Sequence, residues 1–288
     1  MILVVGATGG LGRAISDRLV TDGRSVRAFV RAGSHESPSG AQAVRGDLTD
    51  RASLDQACAG VDTVVATATA AGRGGSDTLQ TVDDQGYADL IDAAVAAGVA
   101  RFAYISALGA DPDSRSPLLR AKGRTEQRLR DSGMRFTILQ PDVYMDLLIP
   151  IVLGAAFDRG APVPLVLGGT RRHSWVARND VAALATGLMG RPDSEGKTYV
   201  VGGPEPISWQ RIVSAAAATL GRSIQTVQTE PGAAVPGLPP FVNELITTLE
   251  MYDSVADASP LALSLGLDLT PIEGWMQEFM RSTHLSRA

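Results

Sequence analysis

Four glycines within seven residues mark the first stretch of the chain that could carry out chemistry. Residues 6–13 read GATGGLGR and lie between an apolar run and an amphipathic pattern. In a strand–turn–helix unit, the first glycine of such a motif permits a tight turn, the second admits a pyrophosphate, and the third lets the helix pack on the strand. The helix N-terminus then presents N–H groups and a positive dipole to the anion. The spacing predicts a dinucleotide site that contains Gly6, Thr8, Gly9, Gly10, Leu11, Gly12 and Arg13.

The residue at the end of the second predicted strand indicates which dinucleotide is bound. Sites that prefer NAD place an acidic residue about 20 residues beyond the glycines, where it binds the ribose 2′-hydroxyl. This chain has Arg31 there, and a guanidinium binds a 2′-phosphate through two charge-assisted hydrogen bonds. Arg13 adds a second positive charge, unless it is an ordinary solvated helix residue. The sequence therefore predicts NADP(H) as the cofactor.

The elements that position these residues alternate along the first half of the chain. We predict strands over 2–5, 25–30, 43–47, 63–66, 102–105 and 136–140. Helices are predicted between them over 10–22, 50–58 (capped by Thr49 or Asp50), 83–97 and 118–132. Strands that alternate with helices indicate βαβ units and a parallel sheet covered on both faces. The predicted fold class is α/β, a Rossmann-type doubly wound parallel sheet with a small C-terminal substrate-capping region.

The pattern is less regular after Pro141. Short strands are predicted near 163–167, 173–176 and 198–201, and helices near 179–189, 208–219 and 271–280. Four prolines in residues 231–242 indicate either a linker or a loop laid over a pocket. We therefore assign residues 1–145 to a dinucleotide-binding core and 146–288 to a substrate cap that is continuous with it, within one domain overall.

Composition excludes several classes of function. Of 288 residues, 44% are hydrophobic and 20% charged, the net charge is −5, and no basic block suits a nucleic acid. The single cysteine, Cys58, is expected to be a buried, inert thiol in a reducing compartment. No secretory leader is visible, and the longest apolar run, 147–157, is shorter than the roughly 20 residues that cross a bilayer. We expect a cytoplasmic protein with no membrane or metal, and a homodimer is left open.

Several motifs together resemble a known superfamily. They are VVGATGGLGR, AFVR, GDLTDRASLDQACAGVDTVV, YADLIDAAVAAGVARFAYISALGA, AKGRTEQRLRDSGMRFTILQPDVYMD and HSWVARNDVAALA. Over most of its length the chain resembles the short-chain dehydrogenase/reductases, in their atypical NmrA-like branch. The resemblance implies further cofactor contacts at Asp47 and Leu48 beside the adenine (Asp47 could equally cap a helix), and at Ala66, Thr67, Ala68, Lys122, Pro141 and Val143.

The resemblance breaks at the proton donor. Standard members use a serine, which corresponds to Ser106, and a Tyr-x-x-x-Lys motif whose lysine corresponds to Lys122. Leu118 stands where the tyrosine should be, and Asp83 stands at the likely place of a helical asparagine. Three outcomes remain open. Another group such as Lys122 supplies the proton, a quinone-like acceptor needs no strong acid, or the protein binds the dinucleotide without turnover and acts as a redox sensor through a protein partner.

The substrate pocket is expected at the carboxyl ends of the strands. Tyr144 is a candidate aromatic wall or substitute proton donor, and Met145, His173 and Trp175 are candidate substrate contacts, with structural roles as the alternative. Asp180 is expected to cap the helix that follows. An apolar pocket of this kind, covered by residues 231–250, predicts a small aromatic, quinone or enone substrate.

Overall fold

A computed structural model describes residues 1–33, 37–71 and 76–282. The chain divides into two compact units, of which the first comprises Met1–Pro141 and Val181–Val200. The second comprises Asp142–Asp180 and the residues from Val201 onward. The first break between the units thus lies after Pro141, four residues before the expected boundary at 145, and residues 181–200 return to the first unit. No helix in these ranges has the length and apolar character that spanning a membrane requires.

A seven-stranded sheet forms the centre of the first unit. Its spatial order is β3-β2-β1-β4-β5-β6-β8, and the pairs from β3 to β6 are parallel. Its strands are β1 Ile2–Val5, β2 Val26–Val30, β3 Gln42–Arg45, β4 Thr63–Ala66, β5 Arg101–Ile105, β6 Arg135–Pro141 and β8 Lys197–Val201. All four residues of β1 are buried, as expected for a parallel strand covered on both faces. The strand order reverses at β1, and this confirms the predicted Rossmann-type doubly wound sheet.

The helices of this unit begin at recognisable capping residues. The Asp50 carboxylate accepts a hydrogen bond from the Ala52 N–H and caps α2. Ser116 caps α4, and Pro117 occupies its first turn. The helices are α1 Gly10–Thr21, α2 Arg51–Cys58, α3 Tyr87–Ala96, α4 Pro117–Asp131 and α6 Arg178–Leu188, which starts at the boundary. Cys58 is fully buried at the end of α2.

A π-helical segment precedes α3, where the sequence predicted ordinary helix from residue 83. This segment, Leu79–Gly86, begins at Thr78, whose side chain forms a capping box with Thr81. A π-turn is wider than an α-turn and is frequently found at functional sites. Here it places Asp83, which is fully buried.

The second unit has its own hydrophobic core. Its elements are α5 Met145–Phe157, β7 Val163–Val166, α7 Trp209–Leu220, β9 Thr226–Thr229, α8 Pro240–Leu249, α9 Ser259–Ser264 and α10 Ile272–Ser282. Strands β7 and β9 pair in parallel. The strand expected at 173–176 is reduced to isolated bridges of His173 with Ile207 and of Tyr144 with Val176. Part of the proline-rich stretch forms the start of α8, which buries Val242, Ile246 and Leu249.

Candidate functional site

The glycine-rich turn brings β1, β4 and α1 into close contact. Gly6 has a φ angle of 88°, and a Cβ there would lie 2.6 Å from Thr67 Oγ1 and 2.8 Å from the Ala68 nitrogen. A Cβ on Gly12 would lie 2.2 Å from the Gly6 carbonyl oxygen. The backbone therefore requires glycine at both positions.

The first turn of α1 has the properties of an anion site. Its N-cap is Gly9, which has no side chain that could cap the helix. The N–H groups of Gly10, Leu11 and Gly12 belong to the first turn, which has no intrahelical acceptors for them. A Cβ on Gly9 would meet only the Gly6 carbonyl oxygen, at 3.3 Å, among the described residues. The donors and the space fit a pyrophosphate held at a helix N-terminus. Arg13 lies half-buried in the same turn.

A cleft beside this turn gathers six of the predicted cofactor residues of the first unit. Its lining comprises Val5, Gly6, Thr8, Phe29, Arg31, Asp47, Leu48, Ala68, Asp77 and Val82. Arg31 forms an ion pair with Asp77 and is 45% exposed, whereas Asp77 is 19% exposed. Phe29, Asp77 and Val82 were not found by sequence reasoning, because nothing in their spacing connects them with the glycines.

Asp47 and the residues after β4 form the neighbouring walls. Asp47 Oδ1 accepts hydrogen bonds from the Thr49 N–H at 2.9 Å and the Thr49 hydroxyl at 2.7 Å. The capping role considered for Asp47 belongs to Asp50 instead. Ala66 ends β4, and the N–H of Thr67 donates to the Val5 carbonyl at 2.9 Å.

Lys122 is the only buried lysine or arginine among the described residues, and 5% of its surface is exposed. Its Nζ donates to the carbonyl of Ile105 at 3.2 Å, at the end of β5. The same atom lies 5.0 Å from the ring centroid of Tyr104 and 5.7 Å from that of Tyr87. Burial lowers the pKa of Lys122, and the negative charges of Asp83 and Glu126 act against that shift.

Two buried oxygens near Lys122 lack partners among the described residues. The Ser106 hydroxyl, one residue after Ile105, makes no hydrogen bond with the described residues. The same holds for one carboxylate oxygen of Asp83. Four residues before Lys122 stands the half-buried Leu118, which has no exchangeable proton.

The candidate residues after β6 are placed as follows. Pro141 ends the strand, and its carbonyl accepts from the Leu108 N–H at 2.9 Å. In the second unit, the Val143 carbonyl accepts from the Val176 N–H at 2.9 Å. The Tyr144 hydroxyl is buried without a partner among the described residues, and burial raises the pKa of this phenol. A raised pKa makes Tyr144 a weaker acid than an exposed tyrosine.

His173, Trp175 and Met145 differ from the substrate contacts that the sequence suggested. His173 is fully buried, with Nδ1 2.6 Å from the Ser254 hydroxyl and Nε2 2.8 Å from the Leu249 carbonyl. Trp175 and Met145 are each 1% exposed and belong to the core of the second unit. The Trp175 indole donates to the Ile207 carbonyl at 3.2 Å. These side chains are committed to internal contacts, so their packing supports the structural alternative.

Asp180 also differs from its expected role. It lies inside α6, whose first residue is Arg178, rather than before the helix. Its carboxylate accepts from the Thr270 N–H at 2.7 Å and the Thr270 hydroxyl at 2.8 Å. Asp180 therefore fixes the segment that precedes α10, and does not cap the helix that contains it.

Comparison with known proteins agrees with this geometry. A family model described as NAD(P)H-binding matches residues 6–192. The NAD(P)H azoreductase of Xenophilus azovorans is 31% identical over 90% of this chain and 84% of its own length. A (4-alkanoyl-5-oxo-2,5-dihydrofuran-3-yl)methyl phosphate reductase of Streptomyces griseus is 31% identical over 96% of this chain and 97% of its own. The photosystem II assembly factor Ycf39 of Synechocystis is 27% identical over 96% and 90% respectively.

The fold is shared with solved structures. An NADPH-dependent quinone oxidoreductase from Escherichia coli, crystallised with NADPH, has a TM-score of 0.80 at 24% identity, over 97% of this chain and 100% of that one. The parallel sheet and its glycine-rich turn define a Rossmann-type dinucleotide-binding protein. The chain belongs to the NAD(P)H-binding family.

Proposed function

We propose that the protein is an NADPH-dependent reductase of a small conjugated acceptor, such as a quinone, an aromatic carbonyl or azo compound, or an enone. The observation that carries the proposal is the placement of Lys122. A buried ammonium group lies against the carboxyl end of β5, next to Ser106, in a chain that lacks the usual tyrosine.

The chemistry of the relatives supports this class of acceptor. Their names specify an azo compound, a quinone and an unsaturated lactone as substrates. Each of these is an electron-poor conjugated system, and its reduction places negative charge on an oxygen or nitrogen that resonance stabilises. An acceptor of this kind needs less help from a strong acid than a simple ketone does. The missing tyrosine is therefore compatible with turnover.

The chain's residues would divide the work as follows. The bound dinucleotide supplies the hydride when the acceptor is reduced. The first turn of α1 holds the pyrophosphate, and Arg31 binds the 2′-phosphate that distinguishes NADPH from NADH. Lys122 gives a proton from Nζ to the negatively charged atom of the reduced acceptor and takes it back from solvent. Ser106 donates a hydrogen bond to the same atom.

The test is consumption of NADPH with a panel of benzoquinones, naphthoquinones, an azo dye and an unsaturated lactone. Lys122→Met is compared with Lys197→Met, because these are the only two lysines of the chain and Lys197 is exposed. We expect Lys122→Met to lower kcat roughly 100-fold or more, the usual size of general acid catalysis, and Lys197→Met to leave it unchanged. Equal kcat values in the two variants would show that Lys122 does not take part in the reaction.

A second candidate function is a dinucleotide sensor without turnover. The likeness to the Synechocystis assembly factor along nearly the whole chain favours it, as does the absence of the tyrosine. Micromolar binding of NADPH, no turnover of any acceptor in the panel, and capture of a partner only by the NADPH-bound form would establish the sensor instead.

A further inference from the structure

The positive charge of the buried Lys122 ammonium group must be compensated by groups that surround it. Removing a cation from water costs several kcal/mol unless nearby groups compensate for its charge. Among the described residues, the hydrogen bond to Ile105 is the one that Lys122 Nζ donates. The ring faces of Tyr87 and Tyr104 contribute a cation–π attraction, which is weaker than that of a full counter-charge.

Two carboxylates act on Lys122, and they are compensated differently. Glu126, on the same helix, already accepts hydrogen bonds from Arg130 and Gln140, each at 2.8 Å. Asp83 is fully buried, and one of its oxygens accepts from the Ala70 N–H at 2.8 Å. The other oxygen has no partner among the described residues. Arg130 neutralises Glu126, so Asp83 is the buried negative charge available to balance Lys122.

The π-helical segment fixes Asp83 against α4. The Thr125 hydroxyl donates to the Asp83 carbonyl at 3.2 Å, three residues along the helix from Lys122. The next residue, Asp84, forms a salt bridge with Arg124 at 2.8 Å and remains near the surface. The two adjacent aspartates therefore face different surroundings. Asp83 is fully buried, whereas the Asp84 side chain is 15% exposed.

We propose that Asp83 is the counter-ion of Lys122 and a positioning residue that keeps the buried amine protonated. It would thereby set the pH above which Lys122 can no longer supply a proton. In the reaction, one N–H bond of Lys122 breaks, an O–H or N–H bond forms on the acceptor, and the neutral amine is reprotonated from solvent. The proton transfer to the acceptor rests on the proposed function, whereas the role of Asp83 as counter-ion does not.

The other groups that face Lys122 do not replace Asp83. Tyr104 from β5 and Tyr87 from α3 are neutral, and burial raises the pKa of Tyr104 well above its usual value. Ser106 is an uncharged hydroxyl at the end of β5. Glu126 is paired as described. Burial lowers the pKa of Lys122, and the Asp83 charge acts against this effect. Loss of that charge should therefore lower the pKa of Lys122 further.

The direct experiment is an NMR titration of protein labelled with ¹³Cε-lysine. The two lysines give two signals, and the exposed Lys197 serves as an internal reference. We expect Asp83→Asn to move the Lys122 titration to lower pH and Asp84→Asn to leave it in place. An unchanged Lys122 titration in Asp83→Asn, or an equal shift in Asp84→Asn, would overturn the counter-ion assignment. This readout needs no turnover, so it is separable from failure of the proposed function.

Kinetics test the consequence for the reaction. Lys122 acts in its protonated form, so kcat declines as pH rises through its pKa. In Asp83→Asn the decline should move to lower pH by the amount that NMR measures, and activity should recover at acid pH. A uniform loss of kcat at every pH would show that Asp83 has no part in setting the protonation of Lys122.

A double-mutant cycle covers the case in which Asp83→Asn does not fold. The variant would then carry a buried ammonium without its counter-charge. Replacing Lys122 by Met in the same chain removes that charge and should restore folding, measured by circular dichroism and thermal unfolding. If Asp83→Asn/Lys122→Met is no more stable than Asp83→Asn alone, the two residues are not coupled and the proposal is wrong.

Discussion

The ion pair between Arg31 and Asp77 leads to a specific prediction about cofactor preference. Asp77 pairs with the guanidinium that we assign to the 2′-phosphate. NADPH must therefore displace a carboxylate and place its own phosphate near it. Replacing Asp77 by Asn, which keeps the shape and removes the charge, should strengthen NADPH binding.

The exposure of the two side chains sets the size of the effect. Arg31 is 45% exposed and Asp77 19%, so solvent screens the pair strongly. An exposed ion pair contributes about 0.2–1 kcal/mol, and this cost of displacement disappears in the variant. Repulsion between the carboxylate and a phosphate about 6 Å away adds roughly 1 kcal/mol at a near-aqueous dielectric. The sum, about 1–2 kcal/mol, corresponds to roughly 5- to 30-fold tighter NADPH binding.

Isothermal titration with NADPH and NADH at low salt measures this gain. NADH lacks the 2′-phosphate, so Asp77→Asn should change its affinity less than about twofold, and added salt should reduce the NADPH gain because it screens exposed charges. The control is Arg31→Leu, which should weaken NADPH and abolish the benefit of Asp77→Asn in the double variant. Unchanged or weaker NADPH binding in Asp77→Asn, or an equal gain for NADH, would refute the assignment of Arg31 to the 2′-phosphate.

Two further predictions concern the first unit. Gly12→Ala places a methyl group 2.2 Å from the Gly6 carbonyl oxygen, so α1 must move. We expect a loss of about 1–3 kcal/mol in the free energy of unfolding together with weaker NADPH binding. Gly154→Ala in α5, where a Cβ would meet no described atom within 4 Å outside its own helical turn, should be neutral or stabilising. Equal losses of stability in both variants would contradict the packing argument for Gly12. Burial raises the pKa of Cys58 to about 11, so a disulfide reagent at neutral pH should label the thiol only as the protein unfolds. Rapid labelling of the native protein would show that the Cys58 thiol, at the end of α2, is accessible to solvent.

The sequence predicts those parts of the molecule that local patterns determine. The bounds of β4 agree with the structure, as do those of α1 and α4 to within one residue, because glycines, caps and apolar periodicity mark them directly. Helix α5 was not predicted, since its apolar run has almost no polar face and contains Pro150. The strand expected near 173–176 is reduced to isolated bridges, because the sequence of a short buried segment does not reveal whether it will find a pairing partner.

Individual site residues were predictable where a motif specifies them, and not where packing alone brings them together. The glycines and Arg31 follow from spacing, and Ser106 and Lys122 follow from the family resemblance. Asp77 comes from a different part of the chain, and its role depends on its ion pair with Arg31. Likewise, the packing of Tyr87 and Tyr104 around Lys122 depends on the π-turn, which has no clear sequence signal. His173 shows the opposite case, since a rare residue type suggested chemistry and the structure gives it internal hydrogen bonds.

The most direct test of the account is a single-turnover experiment with the protein–NADPH complex. The complex is mixed rapidly with one equivalent of a naphthoquinone, and the absorbance of NADPH at about 340 nm is followed for the wild type and for Lys122→Met. The account predicts that wild type oxidises one NADPH per quinone far faster than the enzyme-free mixture, and that the variant binds NADPH but transfers hydride slowly. A wild-type complex whose NADPH remains reduced in the presence of every conjugated acceptor would contradict it.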